Sequence, residues 1–398
     1  MTRRYAHTAL ALCTLAFTAT MVARLVISPL VPAITETFGV TNAVVGLALS
    51  GMWVAYALSQ FPSGVLGDRY GERRVILLAV GATAVASLFI AVAPSIVAFA
   101  VFAVVLGAGA GLHYSVATTF LTKQFDDIGR AIGIHVAGGP IAGLIAPPAA
   151  ALIGARYGWR TGILLGTVVA VPVFVLFAWR IRPTVPARPD QPMRERFAVG
   201  PLQELLSRPP ILYTTGLSML GAFAWQATAS FLPTFLSVAG GLSTGVAALL
   251  FSLYFLVHGA TQPVTGSLSD RFGRDVAAML TMSSGVVGYG LLVMVATVGG
   301  VEAVGLVPIV VGVLLVGLAM SWGAPLQSRF MDLLDDSERG AGFGLVRTVY
   351  MVIGASGSVV VGATSDLAGW TVAFGLLACV MAVCLAALVA NRGLRLGY

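Results

Sequence analysis

Charge is scarce in this sequence. Of 398 residues, 23 are Lys or Arg and 16 are Asp or Glu, 10% in all, against about 25% in a soluble domain. So few charges cannot cover the surface of a 41.1 kDa globule, which excludes an ordinary soluble fold. A chain that is 58% hydrophobic is also too apolar for disorder. Cysteine is nearly absent: Cys13, Cys379 and Cys384 are too few for a disulfide framework. All three lie in apolar runs and read as buried lipid- or core-facing thiols. No Walker motif, metal-ligand spacing or converging Ser/His/Asp or Cys/His set occurs. No enzyme activity, metal, cofactor or ATP coupling is therefore expected. What remains is a polytopic membrane protein.

A membrane-spanning helix needs about 20 mostly apolar residues. Such runs fall, with ends uncertain by about 2–4 residues, at roughly 8–34, 42–66, 73–93, 96–121, 130–154 and 160–180. They resume at roughly 211–238, 244–269, 275–298, 303–328, 340–363 and 369–391. These are helices 1 to 12. The fold class is all-α, with two pseudo-symmetric six-helix bundles at 1–180 and 210–398. The stretch 181–209, with Pro183, Pro186, Pro189 and Pro192, is too short for a core of its own and reads as a tether. Arg3 and Arg4 before the first run imitate a signal peptide, but the run continues to Pro32 and eleven spans follow, so it reads as an uncleaved helix.

With the N terminus placed inside, 19 of the 23 basic residues fall at cytoplasmic ends and loops, and Arg156 and Arg160 alone lie outside. That bias predicts a multi-pass protein of the cell membrane with both termini cytoplasmic. It also accounts for a pI near 9.7 without nucleic acid. The expected partners are the lipid bilayer, a small-molecule substrate and a coupling ion or proton, with the chain acting as a monomer.

The halves repeat each other. Gly64-Val-Leu-Gly-Asp68-Arg69-Tyr-Gly71-Glu-Arg73-Arg ends helix 2, and Gly266-Ser-Leu-Ser-Asp270-Arg271-Phe-Gly273-Arg ends helix 8. Asp126-Asp127 with Arg130 after helix 4 matches Asp335-Asp336 with Arg339 after helix 10, and Gly158-Trp159 matches Gly369-Trp370. Duplication of this kind marks transporter folds that handle substrate between the repeats. Gly64 and Gly266 are expected to permit close helix approach, and Gly71 and Gly273 to make tight turns at positive φ.

The Gly-x-Leu-x-Asp-Arg-x-Gly-x-Arg-Arg run and its copy resemble the signature of the major facilitator superfamily, and the likeness spans the whole chain. One departure is Glu72, where that family carries a basic residue. The resemblance implies alternating access. It implies that Asp68 locks onto helix 11 near Ser337-Glu338-Arg339 and that Asp270 faces helix 5 near Arg130. Arg69, Arg73 and Arg271 complete this conformational gate. It also implies that helices 1, 4, 7 and 10 line a cavity flanked by helices 2, 5, 8 and 11.

An ionisable group inside a membrane costs at least about 2.5–3.5 kcal/mol and is a functional candidate. Arg24 lies about 18 Å from the outer surface and Arg347 about 12 Å from the inner one. His113, His135 and His258 join them, all five on helices the resemblance places at or beside the cavity. The repeat sets Arg24 level with Trp225, His258 with Tyr56, and His113 near Trp322; Gln226 adjoins Trp225, and Trp53 is one turn from Tyr56. Arg, His, Tyr, Trp and Gln together suit a small anion with an apolar or planar body. Structural roles compete: hydrogen bonds to helix carbonyls for the arginines, satisfied core imidazoles for the histidines, plain packing for Trp53 and Trp322. No carboxylate falls mid-span, as 13 of the 16 are cytoplasmic and Glu36, Glu302 and Asp366 are external. That favours an anion as the arginines' partner and leaves proton coupling to a histidine, with His258 best placed. The function expected is secondary transport of a small organic or inorganic anion. The alternative is a proton-coupled drug or metabolite exporter, to which Gly138-Gly139-Pro140 and Pro147-Pro148 in helix 5 bear a partial likeness.

Overall fold

The computed structural model describes residues 3–125, 127–190, 200–335 and 341–394. The described residues contain helices and turns and no strand. Helix 1 is Arg3–Leu25, continued through a 3-10 turn at Ser28–Leu30 into Val31–Phe38. Helices 2, 3 and 4 are Asn42–Tyr70, Glu72–Ala91 and Ile96–Thr122. Helix 5 is Ile128–Val136 with Gly138–Tyr157, and helix 6 is Trp159–Arg180. Helices 7, 8 and 9 are Pro209–Val238, Thr244–Phe272 and Arg274–Thr297. Helix 10 is Val307–Ala319, a 3-10 turn at Met320–Trp322, and Gly323–Leu333. Helix 11 is Ala341–Gly354 with Ser356–Ala368, and helix 12 is Trp370–Gly393.

Eleven of these spans are long and apolar enough to cross a membrane. Helix 7 has the length, 30 residues, but carries Thr214, Thr215, Ser218, Gln226, Thr228, Ser230 and Thr234 in its buried face. Large apolar side chains point outward, with Leu152 and Trp179 70% and 71% exposed, a placement that suits hydrocarbon rather than water.

The chain forms two compact units. One takes Met1–Phe38 and Gly51–Ala198; the other takes Gly39–Ser50 and Val199–Tyr398. Helix 2 therefore begins in the second unit and continues in the first. In the first unit helix 3 packs on helices 4 and 6, and helix 1 packs on helices 4, 5 and 6. Their shared core includes Cys13, Val80, Phe120 and Phe177. In the second unit helix 9 packs on helices 10 and 12, helix 7 on helix 11, and helix 8 on helix 10. Gly200–Ser207, within the stretch expected to be a simple tether, forms a short helix. Its Leu205 packs with Ile211, Phe330, Leu334 and Val346.

Four junctions repeat one device. Gly71, Gly158, Gly273 and Gly369 join helices 2/3, 5/6, 8/9 and 11/12 with φ of 87°, 86°, 95° and 85°, a conformation that glycine holds without strain. Gly64 and Gly266 depart from expectation. A β-carbon at either would meet nothing within 4 Å, so no close helix approach is made there. On helix 2 that task falls to Gly67, on a neighbouring face, whose β-carbon would come 2.7 Å from Val116 Cγ2.

Three of the helix breaks have a proline cause. Proline lacks the N–H that should bond the carbonyl four residues back. Pro29 leaves the carbonyl of Leu25 without that donor, and helix 1 stops there. Pro140 does the same to Val136 in helix 5, whereas Pro147 and Pro148 lie inside its unbroken second segment. Pro325 frees the Ser321 carbonyl in helix 10, which accepts from Thr265 Oγ1 at 3.4 Å instead.

Candidate functional site

The first unit holds one polar cluster along a single face of helix 1: Cys13, Phe17, Thr20, Met21 and Arg24, spaced three or four residues apart. Arg24 sits in the last turn before the Pro29 break. Its side chain is 2% exposed. Nε donates to the Thr20 carbonyl at 3.1 Å, and Nη2 contacts Met21 Sδ at 2.8 Å. The guanidinium carbon lies 4.1 Å from the centre of the Tyr56 ring and 5.1 Å from that of Trp53, both on helix 2. Gly107 and Gly111 on helix 4 bring that helix against the helix 2 backbone at Met52 and Tyr56, where a β-carbon would fall 1.9 Å and 2.3 Å from the carbonyl oxygens. Part of the structural reading of Arg24 is thus real, since one N–H is spent on a helix carbonyl. Nη1 is buried and has no hydrogen-bond partner among the described residues.

Deeper along the same stripe, His113 and His135 meet. Their ring centres are 5.5 Å apart, and Phe17 lies 6.1 Å and 5.3 Å from them. Both imidazoles are fully buried. His113 Nε2 is 3.2 Å from the Cys13 carbonyl. A carbonyl only accepts, so Nε2 is the donor in this contact. Nδ1 of His113 and both ring nitrogens of His135 have no hydrogen-bond partner among the described residues. The Pro140 break places His135 at the end of the first helix 5 segment, and Tyr114 lies 6.2 Å from it.

The second unit holds a polar cluster. Gln226, 1% exposed, donates Nε2 to the Met351 carbonyl at 3.1 Å, while its Oε1 is unpartnered. Trp225 beside it is half-buried. His258 Nε2 is 3.2 Å from Gln262 Nε2, and its Nδ1 is unpartnered. Trp322 lies in the 3-10 turn of helix 10, its Nε1 unpartnered, with the Tyr350 ring edge-on at 6.3 Å. Arg347 is half-buried on helix 11, one turn before Met351. Within each unit, then, the structure joins Arg24 to Tyr56 and His113 to His135, while His258 turns to Gln262. The sequence reading missed Phe17, Met21, Tyr114, Gln262 and Tyr350. Of these, Phe17 and Met21 were readable from their helical spacing to Arg24.

The signature loops differ in their anchoring. In the first copy Glu72 is 3% exposed and ion-paired to Lys123 at the end of helix 4, which gives the unusual acid its partner. Arg73 caps helix 6, with Nε to Ile181 O at 2.7 Å and Nη2 to Ala178 O at 2.6 Å. Asp68 O accepts from Arg188 N at 2.9 Å. In the second copy Arg274 bridges Asp270 and Asp332, the latter at 2.8 Å, and Arg329 pairs with Asp275. Arg130 N donates to the Asp127 side chain at 3.2 Å, and Arg271 is exposed. Ser337-Glu338-Arg339, the expected docking point of Asp68, lies outside the described residues.

The sequence matches the Major Facilitator Superfamily over residues 12–331 and again over 219–394. The chain belongs to the major facilitator superfamily. Its relatives include the "Probable sulfoacetate transporter SauU" of Cupriavidus necator, 26% identical over 366 residues, 85% of this chain and 82% of that protein. A "Multidrug resistance protein B homolog" of Mycobacterium tuberculosis is 36% identical over 146 residues, covering 35% of this chain and 26% of that one. The fold is that of the solved nucleoside transporter NupG, with TM-score 0.79 and 15% identity over 97% of this chain and 98% of that one. Like its superfamily, the protein is a multi-pass membrane secondary transporter of small molecules.

Proposed function

We propose that the transported solute is a small organic or inorganic anion, moved by alternating access. Arg24 carries this reading. A guanidinium is always charged, and an unsatisfied N–H on a buried charged group costs about 1–3 kcal/mol or more. The groups around Arg24 are two aromatic faces, a carbonyl and a thioether. None brings a negative charge, so a carboxylate, sulfonate or nitrate oxygen would supply what Nη1 lacks. A cation would be repelled at the same place. Arg347 and Gln226 of the second unit are proposed to bind the same substrate, so that binding engages both halves. Asp68 and Asp270, with their loops, serve as the conformational gate, and both termini are cytoplasmic. The likeness to a sulfoacetate transporter over most of the chain points to short sulfonates and carboxylates first.

The test is a thermal-shift panel on purified protein with sulfoacetate, acetate, nitrate and tetraphenylphosphonium. Stabilisation by one or more anions and not by the lipophilic cation is the expected result. Stabilisation by the cation alone would replace this reading with the drug-exporter alternative.

A further inference from the structure

Three imidazole nitrogens meet in the interior of the first unit with nothing to bond. His113 Nδ1, His135 Nδ1 and His135 Nε2 are buried and have no hydrogen-bond partner among the described residues. Both rings are fully buried, with centres 5.5 Å apart. A neutral His135 presents one N–H and one lone pair, and both go unused. Unmatched polar atoms are costly where no water reaches them. An apolar side chain at position 135 would avoid that cost, so packing alone does not account for the histidine.

One added proton repairs most of the mismatch. His113 Nε2 already donates to the Cys13 carbonyl at 3.2 Å, so Nδ1 is the position that a further proton takes. The new N–H can donate to the lone pair of His135 once a ring rotation brings the two nitrogens into hydrogen-bond reach. The charge so created has no carboxylate beside it. The titratable groups nearest the pair are Cys13 and Arg24 on helix 1, Tyr114 on helix 4 and, beside Arg24, Tyr56 on helix 2. Arg130, earlier on helix 5, is exposed. Glu36 is 12 residues past Arg24 on helix 1, and Asp127 caps the far end of helix 5 at Arg130 N. An imidazolium would therefore face Arg24 as a like charge, and the site without an anion disfavours it.

Arg24 and the pair are joined by one chain of contacts. Arg24 Nη2 lies 2.8 Å from Met21 Sδ. Met21 Cε and Phe17 Cε1 both reach Gly139, where a β-carbon would fall 3.4 Å and 3.3 Å from them. Gly139 is one turn beyond His135, and the Phe17 ring lies 5.3 Å from the His135 ring. An anion at Arg24 thus brings its charge within two side chains of the pair, in a medium that screens little. We infer that His113 and His135 together bind one proton, taken from solvent, when an anion binds Arg24. This moves the proton site from His258, whose Nε2 contacts Gln262, to the first unit. It rests on the anion reading of Arg24.

The test is calorimetric titration of sulfoacetate, or of the panel anion that stabilises most, in two buffers of different ionisation enthalpy. The difference in heat counts the protons taken up per anion. At about pH 7.5 sulfonates and carboxylates are ionised, so the proton counted belongs to the protein. The parent should take up about one, and its affinity should rise by up to about tenfold for each unit the pH falls. The double variant His113→Gln, His135→Gln should still bind the anion, with uptake near zero and an affinity flat in pH. His7→Gln, at the exposed start of helix 1, should keep the parent's count. Anion binding with no uptake in the parent would overturn this inference and leave the anion reading standing. Uptake lost in His258→Gln but kept in the pair variants would overturn it too. Should no anion bind, the Arg24 reading falls and this inference with it. Should the double variant fail to fold, His135→Gln alone decides, since the His113 bond to Cys13 survives in it. Its uptake should be under about half the parent's, and a parent-like count would overturn the pair.

Discussion

Helices 5 and 11 are counterparts in the repeat, and both are broken at an alanine. Ala137 has φ −58° and ψ −19°; Ala355 has φ −60° and ψ −22°. The geometry agrees and the cause does not. Helix 5 is broken by its own Pro140, and the ladder closes again at once, with Ile141 N on Ala137 O at 3.1 Å. Helix 11 has no proline there and is broken by the Ser50 hydroxyl of helix 2, which accepts from Val359 N at 2.9 Å and donates to Ala355 O at 2.6 Å. Helix 5 carries the cause of its break in its own sequence, whereas helix 11 takes it from a side chain far away in sequence. The contrast stops at these two helices: each unit also holds a proline break, at Pro140 and at Pro325, and an ion pair with a largely buried member, Glu72 with Lys123 and Arg329 with Asp275.

The largest stability difference should appear between the two signature loops. Lys123→Met strands the buried Glu72 carboxylate and should destabilise the protein by about 2 kcal/mol, given that Lys123 itself is half exposed. The fall in melting temperature measures it, and Glu72→Gln combined with Lys123→Met should recover most of the loss. In the second unit, Gln226→Leu removes the bond to Met351 O and should weaken binding of the panel's most stabilising anion about tenfold, read by calorimetry. A loss above a hundredfold there would put the Gln226 amide level with the Arg24 guanidinium. At the small end, Arg274→Met breaks pairs whose acids are 69% and 55% exposed and should cost under about 1 kcal/mol.

Much of this architecture was legible in the sequence, because bilayer thickness dictates apolar runs of about 20 residues and leaves little freedom in counting them. The turn at Gly71 and its equivalents followed from the repeat. The breaks at Pro29, Pro140 and Pro325 were legible in principle from proline chemistry. Arg24 stood out because a charge in an apolar run always does. Ser50 did not, since a serine in a membrane helix is ordinary until the helix it joins is known, and no local pattern reports a contact 305 residues distant. Gly64 and Gly266 were misread for the same reason: a glycine permits close approach without revealing which neighbour, if any, takes it up. Glu72 looked like a defect in the signature until Lys123 was seen beside it.

The central claim is that Arg24 receives the substrate's negative charge, and titration of sulfoacetate into the parent, Arg24→Lys and Arg24→Gln tests it most directly. Calorimetry should show graded loss. Arg24→Lys should bind roughly tenfold more weakly, because a point charge lacks the planar fork. Arg24→Gln should lose about a hundredfold or more, with the melting temperature of the ligand-free protein held or raised. Equal affinity in the parent and Arg24→Gln would contradict the account.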